Sequence, residues 1–107
     1  MMEEMILLET TKALPKHKRA FKLLLARGEF DMVIYDSVEY SCELYEIKHS
    51  SKIVEEQCHI LLDNERLTET KRRFGSISKR CVLYCGDDCD LENGILYRNA
   101  ETYLKNL

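Results

Sequence analysis

Three short segments with the composition of β-strands follow one another closely in the first half of the sequence. They cover residues 20–26, 30–35 and 41–48, and the third alternates polar with apolar residues as a half-buried strand does. The connections, residues 27–29 and 36–40, are short and polar, which is typical of tight turns between strands. This spacing predicts a three-stranded antiparallel meander, which every other element of the chain has to accommodate.

Helical patterns flank the meander on both sides. The first covers residues 5–14 and stops before Pro15, whose ring disfavours helix in the residue before it. The second begins after a capping serine, Ser50 or Ser51, and runs with a break as far as Arg73, where a glycine at position 75 ends it. The apolar stripe expected for this second helix consists of Ile53, Val54, Ile60 and Leu61.

Two further strands, at residues 81–84 and 94–97, and a closing helix at residues 100–107 complete the predicted order. The fold class is therefore α/β, with a mixed central sheet of about five strands flanked by helices. The order is helix, three-stranded meander, helix, strand. Because the sequence contains no internal repeat and no linker, residues 1–107 are expected to form a single domain.

Length and composition restrict the class of protein. The chain has 107 residues, of which 45% are hydrophobic and 33% charged, with a formal net charge of −3. These values fit one domain with a modest core and exclude a multidomain enzyme. No run approaches the roughly 20 apolar residues of a membrane span, and the N-terminus is acidic where a secretory signal is basic. Five cysteines, an odd number, favour free thiols in a reducing compartment. We expect a cytoplasmic protein with no membrane partner.

Side chains able to do chemistry gather at the ends of the second and third predicted strands. Alternation along a strand puts Glu46 and Lys48 on the same side. A turn that sets Asp36 opposite Ser41 also sets Asp31 opposite Glu46, with Cβ atoms about 4.5–5.5 Å apart. Two opposed carboxylates repel each other unless a cation or a proton lies between them. Carboxylate oxygens suit Mg²⁺ or Mn²⁺, and Lys48 is placed to orient a water or to stabilise charge on a phosphoryl oxygen. The alternative is a surface salt bridge on the polar face of an edge strand.

The order of elements and two motifs resemble the PD-(D/E)XK superfamily of restriction-endonuclease-like nucleases. The motifs are Gly-x-x-Asp at residues 28–31 and Glu-x-Lys at residues 46–48, and a Gln on the next helix, Gln57, resembles the RecB-like branch. The resemblance implies catalytic roles for Asp31, Glu46, Lys48 and Gln57. It also implies that the carboxylates of Asp31 and Glu46, with the backbone carbonyl of Ile47, bind Mg²⁺ or Mn²⁺.

Two residues of this expected site have alternatives. An acidic residue on the first helix often completes such sites, and here Glu4 or Glu9 is available, with Glu4 preferred as the third metal ligand. Gln57 lies on the stripe of Ile53 and Leu61 that faces the sheet, so it is also interpretable as a polar residue at the edge of the core.

A wider resemblance covers nearly the whole chain. The runs at residues 6–10, 28–34, 45–50 and 94–99 resemble the C-terminal domain of a group of prokaryotic AAA-type ATPases. The resemblance implies a nuclease-like C-terminal domain of a larger ATPase, with an ATPase domain in the same parent chain and DNA as substrate. ATP binding is not carried over, because the phosphate-loop motif G-x-x-x-x-G-K-[ST] does not occur. The alternatives are a catalytically silent DNA- or protein-binding module and a homodimerisation element that pairs through an exposed strand or through the methionine-rich start of the chain.

Weaker signals have ordinary explanations. Cys81, Cys85 and Cys89 lack the paired spacing of zinc knuckles, and the acidic residues at 88–92 lack the glycine of an EF-hand loop. Basic runs are candidates for contact with phosphates, and they lie at residues 16–19, 71–73 and 79–80.

Overall fold

The computed structural model describes residues 2–53 and 59–107. Within these residues the elements are, in chain order, α1 (Met2–Ala13), β1 (Lys18–Leu24), β2 (Glu29–Asp36), β3 (Ser41–Ile47), α2 (His59–Leu62), α3 (Asn64–Phe74), β4 (Ser76–Tyr84), β5 (Cys89–Asp90), β6 (Leu96–Asn99) and α4 (Ala100–Lys105). The predicted α/β class is confirmed.

The strands form one mixed sheet, which has six strands in the described part of the chain, in the order β1-β2-β3-β4-β6-β5. The meander β1-β2-β3 is antiparallel, as predicted. β4 runs parallel to both β3 and β6, and β5 is antiparallel to β6. The carboxyl ends of β3, β4 and β6 therefore meet at one edge of the sheet.

Helices cover both faces of the sheet, each over its own apolar cluster. On one face α2 and α3 pack against buried strand residues through Leu61, Leu67 and Phe74. On the other face α1 and α4 pack over a second cluster through Ile6, Ala100 and Tyr103. A hydrogen bond of 2.8 Å between the Thr10 and Tyr103 hydroxyls joins α1 to α4. The result is a three-layer arrangement with the sheet in the middle.

The connection from β3 to β4 carries α2 and α3. Asp63 interrupts the helical pattern and caps α3, since its side chain accepts a hydrogen bond from the Arg66 amide. Gly75 ends α3 at φ 84°, in the left-handed region that favours glycine. A Cβ at Gly75 would lie 2.0 Å from the Tyr40 carbonyl oxygen, so this position also needs glycine for space. The predicted break and the predicted glycine stop are confirmed.

The parallel half of the sheet extends further than the sequence predicted. The strand expected at residues 81–84 runs over Ser76–Tyr84, and the strand expected at 94–97 is β6, Leu96–Asn99. β5 was not predicted, so the described sheet has six strands instead of about five. The first half of β4 was missed because its side chains are exposed or half-buried and polar, with no apolar run to mark a strand.

Several boundaries also differ from the prediction. The first strand, expected at residues 20–26, is Lys18–Leu24, because the Leu25 amide already donates to the Gly28 carbonyl in the turn. α1 begins at Met2 instead of residue 5, and α4 ends at Lys105 instead of residue 107.

The start of the second helix was also placed too early. Residues 51–53 are not helical. Ile53, expected on the buried stripe, is 41% exposed, and Val54 lies outside the described residues. Ile60 and Leu61, the other two expected stripe residues, do pack against the core.

α1, with 12 residues, is the longest helix in the described ranges, and none of these helices has both the length and the apolar character of a bilayer crossing.

Candidate functional site

The register of β2 against β3 brings Asp31 to Glu46. Asp36 pairs with Ser41 and Met32 with Tyr45, and the next pair in this register is Asp31 with Glu46. A hydrogen bond of 2.9 Å from the Ile47 amide to Asp31 Oδ2 holds the Asp31 carboxylate at the end of β3. The expected juxtaposition of the two carboxylates is therefore observed.

An irregularity in β2 also positions Asp31. Phe21 of β1 pairs with Val33, but Leu23 pairs with Phe30, so Asp31 and Met32 together face the single residue Lys22. This is a β-bulge, which bends a strand and changes the direction of its side chains. Asp31 thus leaves the regular alternation of β2 at the point where it meets Glu46.

Glu46 is the only charged side chain among the buried residues of the described chain, with 4% of its surface exposed. Its Oε2 lies 3.7 Å from Lys48 Nζ, and its Oε1 has no hydrogen-bond partner. Because a buried carboxylate oxygen without a partner is costly, Glu46 is built to receive a cation or a proton.

The pKa of Glu46 shows the strength of this environment. Burial, and then the adjacent carboxyl group of Asp31, raise the pKa of Glu46 to about 9, against a smaller opposing effect of Lys48. At pH values below this pKa, Glu46 therefore keeps its proton beside Asp31. A divalent cation between Asp31 and Glu46 would take the place of that proton.

Lys48 lies on the same side as Glu46, as the alternation predicted. The chain beyond β3 continues alongside β4: the Lys48 amide donates to the Leu83 carbonyl at 2.9 Å, and the Cys85 amide donates to the Ser50 carbonyl at 2.7 Å. These bonds fix the backbone of Lys48, while its side chain is about one-third exposed. Its ammonium group is therefore available at the mouth of the carboxylate pair.

A further carboxylate of α1, Glu3, interacts with Asp31. Partial desolvation, and then the negative charge of Asp31, raise the pKa of Glu3. Glu3 and Glu4 are both exposed, and Glu9 is exposed and forms an ion pair with Lys12 at 3.5 Å. Glu4 or Glu9 as the third metal ligand stays a prediction.

The signal for Glu3 was present in the sequence. Ile6 and Thr10 are the two buried residues of α1, and Glu3 precedes Ile6 by three positions, which places it on the same helix face one turn earlier. Glu4 is rotated away from that line by about 100°. Glu3 and Glu9 both lie three positions from Ile6, and of these two only Glu3 also lies two turns, seven positions, from the buried Thr10.

The donor set fits a hard divalent cation. Mg²⁺ is commonly held by one or two carboxylates together with waters and phosphate oxygens, and the unpaired Oε1 of Glu46 beside Asp31 provides such oxygens. No group of three or more His, Cys, Asp or Glu side chains is arranged as a complete metal site anywhere in residues 2–53 and 59–107, the stretch with Cys81, Cys85 and Cys89 included. Gln57, the fourth expected catalytic residue, lies outside the described residues.

Two acidic residues at β5, Asp88 just before it and Asp90 within it, are engaged in contacts with β6. Asp88 accepts a hydrogen bond from the Asn99 amide, and Asp90 pairs with Arg98 at 2.6 Å. These interactions tie the loop to β6, which agrees with the structural interpretation of this segment.

No protein-family model, no curated protein and no solved structure matches this chain.

Proposed function

We propose that this chain is a PD-(D/E)XK-type nuclease domain that cleaves DNA phosphodiester bonds with a divalent cation. The observation that carries the proposal is the buried Glu46: it lies beside Asp31, its Oε2 is 3.7 Å from Lys48 Nζ, and its Oε1 has no hydrogen-bond partner among the described residues. In an ordinary surface salt bridge the carboxylate stays exposed to water and has no second carboxylate beside it. The order of elements around the site, helix, meander, helix, strand, supports the same superfamily.

Each residue has a defined part in this function. Asp31 and Glu46 would hold Mg²⁺ or Mn²⁺, joined by the Ile47 carbonyl in the family pattern, and Glu3 adds negative charge beside Asp31. When bound, the ion lowers the pKa of water and stabilises charge on the phosphoryl group. Lys48 orients the attacking water or neutralises the scissile phosphate, since its ammonium is fixed beside Glu46 yet reaches solvent. The proposed parent protein is an AAA-type ATPase that carries this domain at its C-terminus.

Cation binding is the first test. Calorimetric titration with Mn²⁺ and Mg²⁺ should detect a site that Asp31→Ala abolishes. The matched control, Glu92→Ala, removes an exposed carboxylate that lies outside the cluster and should leave binding unchanged. Equal binding by wild type and Asp31→Ala would refute the metal site.

Cleavage is the second test. Single-stranded, duplex and branched DNA are incubated with the protein and Mn²⁺, and wild type is compared with Lys48→Ala. The proposal expects cleavage by wild type and a loss of about 100-fold or more in the variant, the usual scale for removing a group that stabilises transition-state charge. Lys105→Ala, on the exposed end of α4, serves as the control for loss of a positive charge.

A catalytically silent DNA- or protein-binding module is the second candidate. One observation favours it: Lys48 is paired with Glu46, so the residue expected to act on the substrate also has a structural role. Cation binding that depends on Asp31, together with no cleavage of any DNA form, would select this function over the nuclease.

A further inference from the structure

β1 is an edge strand of the sheet with one open side. In the described part of the chain it pairs with β2 and has no strand on its other side. Open strand edges present unpaired backbone groups and attract other extended chains, so proteins usually protect them. The side chains around this edge show what it is suited to bind.

The hydrogen-bond phase of the β1–β2 ladder identifies the free groups. The Ser37 amide donates to the His17 carbonyl, so residues 17 and 37 form a hydrogen-bonded pair. In an antiparallel ladder such pairs alternate with pairs whose N–H and C=O groups point away. In this phase Lys18, Ala20 and Lys22 direct their carbonyls outward, and Ala20 and Lys22 also direct their amides outward. The edge therefore offers both donors and acceptors over three alternate residues.

A groove accompanies this edge. It has a volume of about 580 Å³ and runs between the length of β1, from Arg19 to Leu24, and the end of α3 at Arg73 and Phe74. The Phe74 ring lies 5.2 Å from the Phe21 ring, which gives the groove an aromatic floor. Leu24 is 68% exposed at the far end of the strand. An extended chain placed here would find apolar contacts at alternate positions.

The charged residues that line the groove, Arg19, Lys22 and Arg73, are all basic. Lys18 and Arg19 have no ion pair within the described residues, whereas Lys22 pairs with Glu29 at 3.1 Å and Arg73 with Glu69 at 3.4 Å. A second copy of β1 is a poor partner, because an antiparallel register centred on Ala20 would set Lys18 against Lys22 of the other copy at both ends. Like charges directly opposite each other destabilise a sheet.

We infer that the free edge of β1 docks an extended acidic segment of a partner protein, which adds to the sheet beside β1 and places alternate apolar side chains over Phe21 and Phe74. A peptide backbone satisfies both the outward amides and the outward carbonyls of β1. A DNA backbone provides phosphate acceptors but no donors for the carbonyls of Lys18, Ala20 and Lys22. This surface adjoins the carboxylate site at Lys22, which lies opposite Asp31, but the inference does not depend on the proposed nuclease activity.

The probe for this inference is an eight-residue peptide of alternating glutamate and valine, blocked at both ends and labelled with fluorescein. Binding is measured by fluorescence anisotropy. Ala20→Pro removes an outward amide while leaving the ladder to β2 intact, since proline is accepted on an edge strand where its nitrogen faces solvent. Arg19→Glu reverses an unpaired positive charge. It tests the same surface without a proline, so the inference can still be tested if the proline variant misfolds. Lys105→Glu, on exposed α4, is the charge control.

The inference expects each of the first two variants to weaken binding about tenfold, the scale of one lost hydrogen bond or ionic contact, and Lys105→Glu to leave it unchanged. N-methylation of alternate peptide residues should remove binding, because it blocks backbone pairing while keeping the charge. In amide NMR spectra, the Ala20 and Lys22 signals should shift on binding and become protected from exchange.

Four outcomes would overturn the inference. Equal binding of the methylated peptide would show that no strand is added. Equal binding of a lysine–valine peptide would show that the edge does not select an acidic segment. If an oligothymidylate binds the same edge, and the same variants abolish its binding, the surface is a nucleic-acid site. Dimerisation in light scattering that Ala20→Pro abolishes would show that a second copy of the chain occupies β1.

Discussion

Glu46 has opposite effects on stability and on the proposed function, because its buried carboxyl group destabilises the fold and is also the proposed cation ligand. Its burial at the end of β3 removes the carboxyl group from water, and Asp31 of β2 and Lys48 after β3 are the charged groups that act directly on it, with Glu3 of α1 next to Asp31. Two of these three neighbours are acidic, so the fold favours the protonated form in the absence of a cation. A site with this bias sacrifices stability to keep a ligand-binding group in place.

The protonation of Glu46 predicts a pH dependence of stability. Its pKa is about 9 in the folded chain against an ordinary value of 4.5, so between these two pH values folding takes up a proton. The free energy of unfolding should fall as the pH rises through this window, by at most about 1.4 kcal/mol per pH unit. Glu46→Gln should remove this component of the slope. Urea denaturation at several pH values, in the presence of a chelator, measures it.

The control for this experiment is Glu92→Gln, which neutralises an exposed carboxylate outside the cluster. It should keep the slope of the wild type. If Glu46→Gln and wild type show the same dependence on pH, Glu46 is ionised in the folded chain and the account of its environment is incorrect.

Glu3 and Glu4 provide a test with adjacent residues of the same chemistry. Glu3→Gln removes a negative charge that interacts with Asp31 and should weaken Mn²⁺ binding about fivefold, which corresponds to roughly 1 kcal/mol for a charge near a protein surface. Glu4→Gln, one position along α1 and exposed, should leave the affinity unchanged. Titration calorimetry at fixed ionic strength compares the two. Equal affinities for both variants would exclude Glu3 from the site.

At the scale of elements, sequence patterns predicted the parts of the fold that local physics decides. The meander followed from hydrophobic alternation and short turns, and its register followed from one turn at residues 37–40, which is why Asp31 and Glu46 could be paired in advance. β5 and the first half of β4 could not be predicted, because each contains a single apolar residue, Cys89 or Ile77, among polar ones and its strand conformation depends on distant neighbours. The bulge at Asp31 could not be predicted either, because it depends on how β2 pairs with β1.

Gly75 connects α3 to β4 and is the element boundary most sensitive to substitution. An alanine there would adopt φ 84° and place its Cβ 2.0 Å from the Tyr40 carbonyl oxygen, a backbone atom that cannot rotate away. Gly75→Ala should therefore lower the free energy of unfolding by more than about 3 kcal/mol. The matched control is Gly94→Ala, at φ 86°, whose new Cβ meets only the movable end of the Arg80 side chain at 3.1 Å.

Gly94→Ala should cost about 1 kcal/mol, the conformational penalty alone. The difference between the two alanine variants in urea denaturation isolates the collision with Tyr40. Equal losses would mean that the turn at residues 37–40 moves freely relative to α3 and does not depend on this close approach.

At the scale of the whole molecule, the carboxylate cluster joins elements that are far apart in the chain: α1 through Glu3, β2 through Asp31 and β3 through Glu46. Repulsion among these groups opposes the docking of α1 against the meander, and a bound cation would turn that repulsion into attraction. The effect of one substitution on global stability should therefore change sign with the cation concentration.

Asp31→Asn tests this reversal. The side-chain oxygen of the variant can still accept the hydrogen bond from the Ile47 amide, which Asp31 accepts at 2.9 Å in wild type. Because the substitution removes the negative charge, the variant should be more stable than wild type by about 1 kcal/mol at pH 8 in the presence of a chelator. With Mn²⁺ at about 100 times its dissociation constant, wild type should gain about 2.7 kcal/mol and the variant almost nothing. Their thermal denaturation curves should then exchange order. Equal gains in stability with Mn²⁺ in both proteins would place the bound ion elsewhere. An exchanged order of the denaturation curves would show that the carboxylate cluster binds the cation and destabilises the protein when no cation is bound.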